Sequence, residues 1–94
     1  MIVNWTPGSL DDLESIERYI SADNPAAALQ VVTTILGFGN ALSEMPRRGR
    51  EGNVTGTHEL VLLKFPYTIA YRITDEGIDI LRVIHQARLW PDML

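Results

Sequence analysis

Apolar residues recur every three or four positions through the first half of the chain, the spacing of one face of an α-helix. Thr6 can cap a first helix and Pro7 suits its first turn. Asn24 and Pro25 repeat that signal, so a second helix should follow and run up to Pro46. Because the gap between them is short, the two helices should form an antiparallel hairpin. The core-facing stripe predicted for the first helix is Leu10, Leu13, Ile16 and Ile20.

The hydrophobic period changes to two in the second half of the chain, which is typical of β-strands. Pro66 interrupts this half and separates two strands. The triplet DEG predicts a hairpin turn in which Gly77 supplies a positive φ. Both faces of the last strand are partly apolar, so the period leaves open which face packs on the helices. The predicted strands are MIVNW at 1–5, HELVLLKF at 58–65, YTIAYRIT at 67–74 and IDILRVIHQ at 78–86.

The order of these elements predicts an α+β fold, because the helices are segregated from the later strands. We expect a β-α-α-β-β-β chain in which an antiparallel helical hairpin packs on one face of a small, largely antiparallel sheet. The chain has 94 residues and shows no internal repeat or linker. Residues 1–94 should therefore form a single domain.

Composition limits the classes of function that remain. The absence of cysteine excludes disulfides and thiolate metal sites. No apolar run approaches the roughly 18–20 residues that span a bilayer, and the first residues lack the pattern of a signal peptide. We therefore expect a cytoplasmic protein with no membrane contact, metal or cofactor. The net charge of −4 is uneven, with one basic and six acidic residues in 1–46 but seven basic and six acidic residues in 47–94, so an anionic partner would meet the second half.

Five segments together carry a family likeness. They are, in order, WTPGSLDDLESIERYI, NPAAA, MPRRGREGNVTGTHELV, PYTIAYRI and ILRVIHQARLWP. This ordered set resembles the RelE/ParE superfamily of toxins from bacterial type II toxin–antitoxin modules, over nearly the whole chain. The resemblance implies a compact fold of the order given above, a cognate antitoxin encoded beside the toxin, and growth inhibition by the free protein.

The superfamily divides by target, and this division decides the expected activity. RelE-like members cleave mRNA in the ribosomal A site, whereas ParE-like members poison DNA gyrase. The long helical hairpin and the segments GTHELV and LRVIHQARLWP favour the ParE-like branch. His58 departs from that branch, which commonly has arginine at this place, in GTREL. A degenerate member that binds antitoxin without being toxic is a further alternative.

A ribosome-dependent endoribonuclease remains the alternative that involves chemistry. Without a metal, such an enzyme needs a base, an acid and cations that stabilise the developing phosphorane charge. RelE-like enzymes carry a catalytic arginine in a pattern like RLV, and this chain has Glu59 at the corresponding position, followed by Leu60 and Val61. A carboxylate there has the wrong sign for stabilising phosphate charge. The remaining catalytic candidates are Arg50, His85 and Arg88.

The sequence PRRGR at 46–50 is the densest cluster of positive charge in the chain. It is either a solvated loop, a salt-bridge partner for an acidic antitoxin segment, or a contact for gyrase or nucleic acid. Arginine pairs with carboxylate and phosphate alike, but the acidic chain around it favours a grip on protein. Trp90 is either a lid on the core or part of an apolar patch for a partner. The predicted target- or antitoxin-binding residues are Arg47, Arg48, Arg50, His58, Arg82, His85, Arg88 and Trp90.

Overall fold

The computed structural model describes residues 1–87, which form two helices and one five-stranded sheet. The order of the strands across the sheet is β1-β5-β4-β3-β2, with β1 parallel to β5 and every other pair antiparallel. This arrangement confirms the predicted α+β fold and adds one strand, β2, which is too short to show a period. The elements are β1 (Ile2–Trp5), α1 (Pro7–Ser21), α2 (Pro25–Ala41), β2 (Arg50–Glu51), β3 (His58–Val61), β4 (Tyr67–Ile73) and β5 (Gly77–His85).

Both helices begin at the predicted caps. The Thr6 hydroxyl accepts a hydrogen bond from the backbone N–H of Ser9, and the Asn24 side chain accepts one from Ala27, which satisfies N–H groups that have no partner within the helix. The second helix ends at Ala41, before the predicted Pro46. Three successive hydrogen bonds of the i to i+3 type tighten the chain after it and end the α-helical pattern.

The core lies between the helical hairpin and the inner face of the sheet, the face that carries Ile69 and Tyr71. The predicted stripe of α1 is correct for Leu13, Ile16 and Ile20 but wrong for Leu10, which is 49% exposed. The first turn of α1 lies so close to β5 that the small, fully buried Ser9 faces inward there instead.

A β-bulge in β5 explains why both faces of this strand are partly apolar. Ile80 pairs with Tyr71 and Arg82 pairs with Ala70, so Leu81 has no partner opposite it. An extra residue reverses the alternation of side chains beyond it. Ile78 and Ile80 therefore contribute to the helix-facing core before the bulge, and Val83 does so after it. On the other face, Ile84 packs with Ala70 and Val54.

Two glycines allow close approach of β1 to its neighbours. Gly77 lies in β5 and does not have the positive φ that the sequence predicts. Among the glycines of residues 1–87, only Gly56 has a positive φ. A Cβ atom at Gly77 would overlap the backbone of Ile2 on the parallel strand β1. A Cβ atom at Gly39 on α2 would likewise overlap the indole ring of Trp5. Both glycines are therefore required by packing rather than by backbone conformation.

Substitution of the two α2 glycines should separate packing from helix propensity. Gly39→Ala should lower the free energy of unfolding by about 1–3 kcal/mol, because the new methyl group must displace the Trp5 ring. Gly37→Ala is the matched control, since nothing lies within 4 Å of its added Cβ. It should raise stability by about 0.5–1 kcal/mol. Urea unfolding of both variants measures the difference, and a stabilising Gly39→Ala would contradict the proposed packing.

Candidate functional site

The outer face of the sheet, opposite the helices, carries one row of charged and small residues. Arg50 of β2 pairs with Glu59 of β3, Glu59 with Ala70 of β4, and Ala70 with Arg82 of β5. Side chains alternate along a strand, and the neighbours of Ala70 on β4 belong to the core. The four residues of this row therefore project from the outer face.

Glu59 forms the first ion pair in this row, with Arg50. Its side chain is only 7% exposed, and a buried carboxylate requires partners. Oε1 accepts a hydrogen bond from Nη2 of Arg50 at 3.3 Å, and Oε2 accepts one from the backbone N–H of Asn53 at 3.2 Å. The Glu59 carboxylate therefore neutralises Arg50 and holds the chain that leaves β2.

Asp12 of α1 forms the second ion pair, at the bulge of β5. Its carboxylate accepts hydrogen bonds from Nε of Arg82 at 2.8 Å, from Nη2 of Arg82 at 3.0 Å and from the backbone N–H of Val83 at 2.8 Å. These hydrogen bonds raise the pKa of Arg82 above its ordinary value, so the guanidinium stays charged and paired. Asp12 thus links α1 to the β5 edge beyond the end of β1. The sequence shows Asp12 only as an acidic residue near the start of a predicted helix, which gives no signal for a partner 70 residues away.

The basic loop, residues 46–50, is attached to the sheet through Tyr71. The buried Tyr71 hydroxyl donates a hydrogen bond to the carbonyl oxygen of Pro46 at 2.7 Å and accepts one from the N–H of Gly49 at 2.9 Å. Burial raises the pKa of this hydroxyl, against the smaller opposing effects of the Gly49 N–H and the Arg47 charge. The two side chains between the attachment points, Arg47 and Arg48, are both exposed.

Arg48 has an aromatic partner rather than a carboxylate among the described residues. Its guanidinium carbon lies 5.1 Å from the centre of the Phe38 ring on α2, within the range of a cation–π contact. This contact keeps the positive charge while it limits the motion of the side chain. Arg47 and Arg48 are therefore more available to a binding partner than Arg50, because only Arg50 is paired with a buried carboxylate.

His58 packs against Tyr71 rather than projecting to the outer face. The two residues are paired across β3 and β4, and their rings stack with centroids 5.4 Å apart and an interplanar angle of 23°. Nδ1 of His58 is buried and has no hydrogen-bond partner among residues 1–87. The His58 ring therefore packs against the ring of Tyr71.

His85 lies at the end of β5 on the side of the sheet that faces the helices. Its ring meets Tyr67 edge-on with centroids 5.4 Å apart. Nδ1 accepts a hydrogen bond from the N–H of Ala87 at 3.1 Å, so the proton of the neutral ring is on Nε2. A groove of about 570 Å³ lies between this strand end and α1; its walls include Ser15, Ile16, Tyr19, Tyr67 and His85.

The structure does not bring the nuclease candidates together. Arg50 and His85 are on opposite faces of the sheet and on strands three spacings apart, a lateral separation of about 14 Å. Arg88 and Trp90, both predicted for binding and Arg88 also for catalysis, lie outside the described residues. Within residues 1–87, no group of three or more His, Cys, Asp or Glu side chains is placed to hold a metal ion. No helix in that range is long and apolar enough to cross a membrane.

Comparison with known proteins identifies the family. The family model for the ParE toxin of type II toxin–antitoxin systems, parDE, matches residues 3–90. The chain belongs to this toxin family. Among curated relatives of this ParE-family toxin, the putative toxin Y4kP of Sinorhizobium fredii is 42% identical over 92 residues, covering 98% of this chain and 95% of the relative. Toxin RelE2 of Caulobacter vibrioides is 38% identical over 87 residues, covering 93% and 97%.

Solved structures extend the likeness to three dimensions. The chromosomal ParDE toxin–antitoxin system from P. aeruginosa contains a chain that matches with a TM-score of 0.82 at 28% identity, covering 90% of this toxin and 95% of that chain. The toxin–antitoxin complex RelBE2 from Mycobacterium tuberculosis contains one that matches with a TM-score of 0.65 at 27% identity, covering 88% and 94%. The resemblance of the sequence to the RelE/ParE superfamily is therefore confirmed, and this chain is a toxin of a type II toxin–antitoxin system.

Removal of the Asp12 charge should reveal the strength of the link between α1 and β5. Asp12→Asn should lower the free energy of unfolding by about 2–3 kcal/mol, because Arg82 keeps its charge in a site where the pair is 16–20% exposed. Glu14→Gln is the control, since its ion pair with Arg18 is about 70% exposed, and it should cost less than about 1 kcal/mol. Thermal or urea unfolding at neutral pH compares them; equal losses would show that the Asp12 contacts add no more stability than an exposed ion pair.

Proposed function

We propose that this toxin inhibits growth by binding DNA gyrase and stabilising the cleaved gyrase–DNA intermediate, and that it does not cleave RNA. The observation that supports this proposal is the buried carboxylate of Glu59 in the outer row of the sheet. Resemblance to RelE-like nucleases places a catalytic arginine at this position. A negative charge with both oxygens already hydrogen-bonded disfavours a phosphorane transition state there.

The ion pairs of the neighbouring arginines also disfavour RNA cleavage by this toxin. Arg50 is paired with Glu59 and Arg82 is paired with Asp12, so each arginine of the outer row is already neutralised. Moving a phosphate into this row would require breaking one of these pairs and leaving a carboxylate uncompensated. Inhibition through protein binding needs no such rearrangement and no cofactor, and it would take place in the cytoplasm, where gyrase acts.

A cognate antitoxin is the proposed second partner, in a toxin–antitoxin hetero-oligomer. Both structural neighbours come from toxin–antitoxin systems, which supports this part of the proposal. The basic loop offers Arg47 and Arg48 without a carboxylate partner among the described residues, so an acidic segment of the antitoxin would complement it. The groove beside His85 combines apolar and hydrogen-bonding groups, and it fits an amphipathic segment of the same partner.

Ribosome-dependent mRNA cleavage is the second candidate. Two observations favour it: one relative of this toxin carries the name RelE2, and His85 shares a groove with the phenol of Tyr67. Under this alternative, His85 would act as the general base and Arg88 would supply charge stabilisation. His85→Ala and Arg88→Ala would then abolish mRNA cleavage and leave antitoxin binding intact.

Purified gyrase provides the decisive assay. Toxin freed of antitoxin should cause linear, protein-linked plasmid DNA to accumulate with dose in the presence of ATP, because a poison traps the cleaved intermediate. Circular dichroism confirms that the preparation is folded, and addition of antitoxin should abolish the effect. If the toxin instead cleaves mRNA on translating ribosomes and does not inhibit gyrase, the second candidate, ribosome-dependent mRNA cleavage, is correct. Inactivity in both assays, with normal colony growth on expression, would indicate a non-toxic antitoxin-binding member.

Charge reversal in the basic loop should weaken partner binding without unfolding the protein. Arg48→Glu should reduce antitoxin affinity at least about tenfold. The exposed cation would pair with carboxylates of the antitoxin, whereas a glutamate at this position would repel them. Arg18→Glu is the control, because it makes the same charge change at an exposed position on α1. Calorimetric titration at two salt concentrations measures both variants. Equal affinities of Arg48→Glu and wild type for antitoxin and gyrase would make the loop a solvated turn.

A further inference from the structure

The basic loop is held by a single side-chain hydroxyl at two points. Tyr71 donates to the carbonyl of Pro46 and accepts from the N–H of Gly49, so its two hydrogen bonds bracket Arg47 and Arg48. A hydroxyl can donate one hydrogen bond and accept others at once, and this one uses both capacities on the loop. The peptide groups on either side of the two arginines are therefore fixed relative to β4.

The loop backbone is also fitted closely to this hydroxyl. A Cβ atom at Gly49 would lie 2.7 Å from the Tyr71 oxygen, 2.8 Å from its ring and 2.9 Å from the carbonyl oxygen of Glu59. Only glycine fits between the tyrosine and β3 without displacing one of them. The residue between Arg48 and Arg50 thus lies against the sheet, and the arginines cannot shift along it as a unit.

The phenol itself has little freedom to move. Tyr71 is fully buried, and the ring of His58 stacks against it from the neighbouring strand. On the other side, Tyr71 pairs with Ile80 of β5 at the bulge. The hydroxyl is therefore a fixed point of the sheet, and the position of the loop follows from the position of the sheet.

We propose that Tyr71 is a positioning residue for partner recognition, which holds Arg47 and Arg48 in the arrangement that binds the acidic segment of the antitoxin. This inference rests on the proposed role of the basic loop as an antitoxin grip. Tyr71 does not touch the partner in this scheme, because its hydroxyl is buried beneath the loop. Its effect is to order the loop before binding, so that less conformational entropy is lost when the complex forms.

A double-mutant cycle tests this role with the full-length toxin and the antitoxin encoded beside it. Tyr71→Phe should weaken antitoxin binding roughly tenfold, the effect expected when one or two residues must be ordered on association. The same change in an Arg47→Ala/Arg48→Ala background should alter affinity less than about twofold, because there is no longer a charge pair to position. Ser9→Ala, which removes another buried hydroxyl outside both the loop and the groove, is the matched control, and its effect should be the same in both backgrounds.

The outcomes separate the two proposals. If the double alanine variant binds antitoxin as tightly as wild type does, the basic loop does not bind the antitoxin. Both the binding role of the loop and the positioning role of Tyr71 are then overturned. If the double alanine variant binds more weakly but Tyr71→Phe has the same effect with and without the arginines, Tyr71 stabilises the fold only and the positioning role alone is overturned. Coupling between Tyr71 and the arginines, with no coupling for Ser9, is the expected result.

Hydrogen exchange in the wild-type toxin gives a second measurement that does not depend on any variant folding. The Gly49 amide should exchange as slowly as the paired amides of β4, because it is bonded to a buried oxygen. The amide of Lys64, in the exposed connection between β3 and β4, provides the fast reference. Exchange of Gly49 at the rate of Lys64 would show that the hydroxyl does not order the loop in solution, and would overturn the proposal.

Discussion

The arrangement of the proposed binding surfaces depends on one constraint, the bulge of β5 and the Asp12 carboxylate that holds it. Asp12 accepts the Val83 N–H that β1 would have bonded had it continued, so α1 rather than a strand closes this stretch of the sheet edge. Beyond the bulge the side chains change faces. His85 therefore points toward α1, and Arg82 is bound to the helix instead of remaining free on the sheet. A single extra residue thus separates the histidine from the arginines of the outer row.

Much of the fold follows from local chemistry that the sequence displays. Thr6 and Asn24 each precede a proline, and both cap a helix as expected. The period-two segments became the three longer strands of the second half. The bulge was beyond sequence reasoning because a bulge residue has no side-chain signature, and the partly apolar pattern on both faces of β5 is its only trace. Asp12 and Tyr71 each act through a partner distant in the chain, and Glu59 acts through the pairing of two short strands. A single sequence does not show such pairings.

Within this superfamily the fold is shared between toxins of differently named toxin–antitoxin systems, as the matches to ParDE and RelBE2 demonstrate. Backbone similarity therefore cannot choose the activity. The distribution of charge over the same sheet distinguishes the alternatives more sharply. Here two carboxylates pair with two arginines of the outer row, whereas Arg47 and Arg48 of the basic loop are exposed and have no carboxylate partner among residues 1–87. The row that would have to stabilise phosphate charge is thus occupied by ion pairs, and the loop beside α2 presents two exposed cations to a partner.

The parallel pairing of β1 with β5 has a consequence for biosynthesis. Ile2 pairs with Gly77, so β1 is synthesised well before the strand with which it pairs. The nascent chain can form its helical hairpin early, but it cannot complete the sheet until β5 has been made. Tyr71 and Asp12 both pack or bond to β5, so the surfaces they organise mature only at that stage. An antitoxin that is already present would meet the toxin at the moment it becomes competent.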